Sequence, residues 1–426
     1  MSRATVRPGR PLRGACEAPG DKSITQRAIL LGALASGETR IVGANTGADA
    51  RAALGIVRAL GAKTSASRQG DWRIRGGALR ESGHVLDAKN SGTALRLSMG
   101  LLSAQPFLST LTGDSSLRSR PVGRVIEPLR TLGADLAARD GDRFPPVVIR
   151  GRALRGATVR TPVPSAQVKS AVLLAAVQAE GETVVEESAQ TRDHTERMLP
   201  SFGCPVAREG TRSRVTGPAA LRGAEVHVPG DASAAAFLLA AAALTPGSDV
   251  TVRGVGINPT RRAFLDLLAR AGARVETGNE RGFGEEPVAD LRIRSGEIAP
   301  FRIAAHEAGP LIDELPLAAV LAAFAAGESV LRGAGELRVK ESDRIAAVTA
   351  GLRAIGVEVE EHEDGWTISG KPSAPGGVVD ARNDHRIAMA FLIAGLRTER
   401  GVTVDGAESI RVSDPGFLSR LKGLAR

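Results

Sequence analysis

Two helical patterns alternate along the chain. One is apolar nearly all round, as in AVLLAAV (171–177), AFLLAAAAL (236–244) and LAAVLAAFAA (317–326). A helix without a polar face is buried on every side. The other is amphipathic, as in DLLARAGA (266–273) and AVTAGLRAIGV (347–357), and predicts helices that cover a core from outside. Short strand-like runs lie between them. In the first stretch SITQRAILLGALAS is helical and Gly37 stops it. ETRIVGA then reads as a strand, DARAALGIVRAL as a second helix ended by Gly61, and KTSASR and DWRIRG as further strands.

This unit recurs six times, at steps of about 70 residues, which marks a repeat architecture. A polar cluster opens each copy, at Asp21, Asn90, Ser165, Asp231, Asp313 and Asp384. A Gly between apolar residues follows each second helix, at Gly61, Gly133, Gly203, Gly272, Gly356 and Gly423. Two markers in phase over six copies predict an α/β protein with buried helices rather than a doubly wound sheet.

The clusters sit where each buried helix begins. Helix N-termini carry unsatisfied N–H groups and a partial positive charge, so several aimed into one cleft would bind phosphates and carboxylates. PGDKSITQR (19–27) brings Lys22, Ser23 and Arg27 to one helix start; NSGTALR (90–96) offers Gly92 and Arg96. DSSLRSRPVGR (114–124) carries Arg118, Arg120 and Arg124, read either as a solvated loop or as a phosphate contact. PSAQVKS (164–170) contributes Gln167, with TRDHTER (191–197) downstream. In LIDELPL (311–317), capping explains one of Asp313 and Glu314 and leaves the other available. LRVKESDRI (337–345) crowds Lys340, Glu341, Asp343 and Arg344, for which helical ion pairing is the bland reading. NDHRIAMAF (383–391) places His385 and Arg386 against an apolar helix, and a lone His there is more often structural. PGDAS (229–233) has no cation attached and reads as capping only.

Composition narrows the partner. The 426 residues carry a net charge of +9, with 42% hydrophobic and 24% charged residues. Aromatics are 3% and Tyr is absent, which leaves little for stacking nucleic-acid bases, and the cations are scattered. An anionic metabolite fits better than a nucleic acid. Lys accounts for seven of the 56 basic residues, so a Lys inside a polar cluster is conspicuous. The two cysteines, Cys16 and Cys204, form no disulfide framework or metal-ligand spacing, which fits a reducing cytoplasm. No secretory leader opens the sequence, and no apolar run approaches the ~18 residues of a membrane span.

The motifs together resemble the 5-enolpyruvylshikimate-3-phosphate synthases along essentially the full chain. PGDKSITQR, NSGTALR, SRPVGR, PSAQVKSAVLL, the Asp-Glu-Leu-Pro stretch, LRVKESDR and NDHRIAMAF stand in the family's order. PSAQVKSAVLL, TRDHTER and VKESDR resemble the second bacterial class. The resemblance implies the enolpyruvyl transferase fold, an inverse α/β barrel of two lobes, each three βαβαββ units about a pseudo-threefold axis. By analogy residues 1–17 and 229–426 form one lobe and 18–228 the other, with the active site in the inter-lobe cleft and closure on the first substrate.

The resemblance further implies shikimate-3-phosphate contacts at Lys22, Ser23, Arg27, Ser165, Ala166, Gln167, Arg192, Asp313 and Lys340. It implies phosphoenolpyruvate contacts at Lys22, Gly92, Arg120, Gln167, Glu341, Arg344 and Arg386. Asp313 is the leading base, with Lys22 and Glu341 as proton-transfer candidates; no metal or organic cofactor is implied, and a monomer suffices. Ala166 stands where the first class has Ser, so a backbone contact is implied there. Glu336 stands for an Asn and Val412 for a Lys, with Arg411 out of register. Gly92 implies sensitivity to glyphosate. The nearest rival, the enzyme that transfers enolpyruvyl to a UDP-amino sugar, typically carries a reactive Cys near Arg120, and DSSLRSR has none.

Overall fold

The structure, a computed structural model, describes residues 2–425. They divide into two units. The terminal unit holds the described residues up to Pro19, Pro229–Arg281 and those from Pro287 onward; the inserted unit holds Gly20–Val228 and Gly282–Glu286. The first boundary thus falls at Pro19/Gly20, and a short hairpin turn at 282–286 groups with the inserted unit. No helix among the described residues is long and apolar enough to cross a membrane.

Each unit is built around three helices. In the inserted unit these are Lys22–Leu34, Gly92–Ser103 and Ala166–Ala176. In the terminal unit they are Ala232–Leu244, Leu315–Ala323 and His385–Ala394. They are buried on every side, as their all-round apolar pattern predicts: beyond its first residue the whole Ala232–Leu244 helix is buried. Small residues let them pack backbone to backbone. A Cβ on Gly100 would lie 1.9 Å from the Ala171 carbonyl oxygen, so only Gly permits this crossing. Amphipathic helices such as Ala48–Ala59 and Ala263–Arg270 turn their apolar faces onto the same two cores.

A small sheet accompanies each buried helix. In the inserted unit, Leu86–Asp87 runs parallel to Leu108–Thr112, with the Gly92–Ser103 helix between them in sequence, and Phe144–Arg150 and Asp135–Ala138 complete the sheet antiparallel. The same order recurs in the sheets of Thr158–Arg160 and of Glu225–His227. Two leading strands are exchanged. Arg13–Glu17 precedes the Lys22–Leu34 helix in sequence but pairs with Asp249–Gly256; Glu225–His227 precedes the Ala232–Leu244 helix but pairs with Glu38–Val42.

The sixth copy departs from the others. Its sheet is three-stranded among the described residues, Gly377–Asp380, Val402–Asp405 and Arg3–Val6, so the chain's N-terminus supplies the strand its C-terminus lacks. Gly423 departs with it. The marker glycines 61, 133, 203, 272 and 356 adopt positive φ, as a helix-ending turn requires. Gly423 instead lies inside the Phe417–Leu424 helix.

Candidate active site

The inserted unit gathers its polar groups at three helix starts. Asp21 caps the first, accepting from the Ile24 N–H at 2.8 Å, and Ser91 caps the second through the Ala94 N–H at 3.1 Å. Ser165 stands at the start of the third, half-buried, without a side-chain cap bond, and Ala166 is the first residue of that helix. Each pair of helices is braced by polar links. Ser91 Oγ donates to Gln26 Oε1 at 3.3 Å, Arg96 Nη1 donates to Gln167 Oε1 at 2.7 Å, and Arg27 Nη2 donates to Ser170 Oγ at 2.7 Å.

These braces orient the candidate binding groups. Gln167 is fixed at both ends of its amide, since its Nε2 donates to Thr93 Oγ1 at 3.0 Å. Arg27 is held further by Thr195 Oγ1 at 2.8 Å and the Ser23 carbonyl at 2.9 Å. Burial pushes its pKa down to about 10, against the pull of Asp21 and Glu196, which leaves it cationic at neutral pH. Lys22 Nζ pairs with Asp49 at 2.8 Å, both largely buried. Of the three arginines at 118–124, Arg120 is buried and Arg118 exposed. Asn90 Oδ1 accepts from Arg120 at 2.8 Å, and Asn90 in turn donates to Asp114 at 2.7 Å. Gly92 lies beside Arg96 and Arg120. Arg192 is half-buried, three residues before Thr195.

Behind this rim lies a buried ion triad. Lys169 Nζ is 2.6 Å from Glu187 and 2.8 Å from Glu196, with all three side chains at most 3% exposed. Burial alone would lower the Lys169 pKa; Glu196 and Glu187 outweigh it and raise the pKa instead. The two carboxylates bracket the segment that carries Arg192 and Thr195.

In the terminal unit Arg344 is the hub. Its side chain is 1% exposed and reaches Asp384 at 2.7 Å, Glu341 at 2.7 Å and Asp313 at 3.9 Å. Burial works against its charge, but Asp384 and Glu341 outweigh burial and hold its pKa above the ordinary value. Asp384 shows the reciprocal balance: burial pushes its pKa up, and Arg344 brings it below the ordinary value. Asp384 also caps its helix through the Arg386 N–H at 2.9 Å. Arg386 donates to the Asp313 carbonyl at 2.7 Å and lies 3.7 Å from the Asp313 carboxylate. Lys340 pairs with Glu336 at 3.0 Å. His385 is buried at the first position of its helix, and Arg411 is exposed.

Two sequence expectations need correction here. Neither Asp313 nor Glu314 caps the Leu315–Ala323 helix with its side chain; Asp313 faces Arg344 and Arg386, and Glu314 faces Ser233 and Arg386. The PGDAS segment does have a cation: Arg261, distant in sequence, reaches Ser233 Oγ at 2.6 Å and Asp231 at 3.4 Å. Sequence reading also passed over Asp49, Ser170, Glu187 and Glu196. The apolar run 171–177 directly after Lys169 is the signal in the sequence that pointed to a buried partner.

Comparisons with known proteins identify the family. The family model of EPSP synthase (3-phosphoshikimate 1-carboxyvinyltransferase) matches residues 6–421. The chain is 51% identical over 421 residues to the 3-phosphoshikimate 1-carboxyvinyltransferase of Anaeromyxobacter sp. (strain Fw109-5), covering 99% of this chain and 98% of the relative. It is similar to that of Acidithiobacillus ferrooxidans (strain ATCC 53993 / BNL-5-31), at 48% identity over 420 residues, covering 98% and 96%. Among solved structures, an EPSP synthase from Acinetobacter baumannii superposes with a TM-score of 0.87 at 41% identity, covering 99% of this chain and 98% of that one. The enolpyruvyl transferase NikO from Streptomyces tendae, at 18% identity and a TM-score of 0.80 over 98% and 96%, shares the fold.

Proposed function

The chain belongs to the EPSP synthase family, and from that premise we propose how its two polar clusters carry out the transferase reaction on one pair of substrates. The enzyme moves the carboxyvinyl group of phosphoenolpyruvate to the 5-hydroxyl of shikimate-3-phosphate and releases phosphate, a step of aromatic amino acid biosynthesis. It acts in the cytoplasm as a single chain.

The 5-hydroxyl oxygen bonds to the central carbon of phosphoenolpyruvate while the methylene carbon takes a proton. A tetrahedral ketal phosphate results. The C–O bond to phosphate then breaks and a methyl proton leaves, which restores the enol ether. Both substrates are multiply anionic, so the reaction needs fixed cations and a well-placed base. In this reading shikimate-3-phosphate is held by Lys22, Ser23, Arg27 and the 165–167 segment, with Arg192, Asp313 and Lys340. Phosphoenolpyruvate is held by Lys22, Arg120, Gln167, Glu341, Arg344 and Arg386, with its approach opened by Gly92. Asp313 accepts the hydroxyl proton, and Lys22 and Glu341 are the groups for proton transfer at the methylene carbon.

The supporting observation is that the chain's own side chains fix the orientation of these groups. Gln167 is clamped through both amide atoms, and Arg344 is held by Asp384 and Glu341. Such preorganisation stabilises charge without reorganisation during the reaction. Phosphate release from phosphoenolpyruvate tests the reading. It should require shikimate-3-phosphate, and release supported only by the UDP-amino sugar would overturn it. Asp313→Ala and Lys22→Met should keep the wild-type circular dichroism and lose nearly all turnover; wild-type turnover removes that residue from the mechanism.

A further inference from the structure

Beside Arg386 the terminal unit buries a polar chain to which the proposed reaction assigns no role. Arg261 ends the short Pro259–Arg261 turn, Ser233 lies in the first turn of the Ala232–Leu244 helix, and Glu314 precedes the Leu315–Ala323 helix. The side chains of Arg261, Glu314 and Arg386 are 5%, 7% and 10% exposed. Arg261 Nη2 donates to Ser233 Oγ at 2.6 Å, and Ser233 Oγ donates to Glu314 Oε1. The direction is forced: a guanidinium only donates, a hydroxyl has one proton to give, and a carboxylate accepts. The same Glu314 Oε1 lies 3.7 Å from Arg386 Nη1, which also donates one of its two N–H groups to the Asp313 carbonyl at 2.7 Å.

We propose that Arg261, Ser233 and Glu314 are a positioning relay that fixes the Arg386 guanidinium and thereby sets the affinity for phosphoenolpyruvate. The inference rests on the reading that Arg386 grips that substrate. Glu314 has two opposed effects on an anionic ligand. Its negative charge weakens the attraction of Arg386 for phosphoenolpyruvate. Its geometry holds the guanidinium in one orientation, which lowers the cost of binding. Glu314 is fixed by the hydrogen bond from Ser233 and meets Arg386 as a buried ion contact at 3.7 Å. In so buried a set the geometric effect dominates, because a displaced guanidinium loses directional bonds to the ligand as well as proximity.

The sign of one substitution separates the two effects. Glu314→Gln removes the charge and nearly keeps the shape. A bystander charge predicts a lower KM for phosphoenolpyruvate; the relay predicts a KM raised roughly tenfold, with kcat within about twofold and the KM for shikimate-3-phosphate unchanged. Ser233→Ala removes one oxygen and no charge, and should raise the same KM roughly threefold, while Arg261→Lys should be milder than Arg261→Met. Thermal unfolding accompanies each variant, and Ser233→Ala carries the test if Glu314→Gln does not fold. An unchanged or lower KM for phosphoenolpyruvate in Glu314→Gln and Ser233→Ala overturns the relay, as does an equal rise for both substrates. Arg386→Lys is the control. If it leaves the KM for phosphoenolpyruvate unchanged, the reading of Arg386 fails and the relay with it; if it raises that KM while the other variants do not, the relay alone fails.

Discussion

A methyl group added at Gly92 would lie 2.7 Å from Arg96 Nη1 and 3.7 Å from Arg120 Nη1. Arg96 cannot simply swing away, because its guanidinium is bonded to Gln167 at 2.7 Å and to the Pro121 carbonyl at 3.1 Å. Overpacking of this kind costs about 1–3 kcal/mol. The methyl would crowd the arginines beside the proposed phosphoenolpyruvate site, and Gly92→Ala should raise the inhibition constant for glyphosate roughly tenfold, equivalent to about 1.4 kcal/mol of binding. The disturbance passes through Arg96 to Gln167, so the KM for phosphoenolpyruvate should rise too. Equal inhibition constants for the two proteins, measured under the same phosphoenolpyruvate concentration, would contradict the argument. At this scale the sequence revealed which residues crowd the helix starts, because local spacing is enough to see Lys22 beside Ser23 or Arg344 beside Glu341. It did not reveal Asp49 as the partner of Lys22 or Arg261 as that of Ser233. Those pairs join different elements, and only the folded unit brings them together.

Among the elements, the Ala166–Ala176 helix shows how an apolar run can carry a charge inward. Lys169 points into the core and is neutralised by Glu187 and Glu196, which flank the segment bearing Arg192 and Thr195. The triad thus ties that segment to the helix that presents Gln167. Removing one member strands the others, a loss of about 3–5 kcal/mol for a buried pair. Lys169→Met should lower the unfolding free energy measured in urea by an amount in that range and shift the midpoint down with it, and adding Glu187→Gln and Glu196→Gln should recover part of the loss. A midpoint unchanged in Lys169→Met refutes the buried-charge account. The pH dependence has a definite sign. The folded pKa of Lys169 is raised above its ordinary 10.5, so its contribution is complete below that value and is lost as pH climbs through the higher folded pKa. On the alkaline side, the difference between wild type and Lys169→Met should accordingly shrink only as pH passes above the folded Lys169 pKa. Helix type was legible from the apolar pattern, which separates buried from covering helices. Cap chemistry was less so: Asp21, Asp231 and Asp384 cap as their positions suggest, yet Glu314 turns instead to Ser233.

Across the whole molecule, the sixfold repeat was visible as a period, but not which strand completes which sheet. The exchange of leading strands decides what each part of the chain can do alone. Residues 20–228 contain every strand of their three sheets, because Glu225–His227 closes the last one against Glu38–Val42. Residues 229–426 do not: their sheets lack Arg13–Glu17, which pairs with Asp249–Gly256, and Arg3–Val6, which pairs with Val402–Asp405. An unpaired sheet edge over an apolar core invites aggregation. The fragment 20–228 loses the 282–286 turn, and with it the 2.7 Å pair of Glu286 with His194, but keeps its apolar core cluster intact. Expressed separately, 20–228 should therefore unfold cooperatively, with dispersed amide resonances. The fragment 229–426 should be poorly dispersed or aggregated until a peptide of residues 1–19 is supplied. Phosphate release should be absent from each fragment and return only when all three pieces are combined, since the cations proposed to grip phosphoenolpyruvate are divided between Lys22 and Arg120 on one unit and Arg344 and Arg386 on the other. Turnover by 20–228 alone would remove the terminal unit from the chemistry, and a well-folded 229–426 without the peptide would show that the two exchanged strands are dispensable.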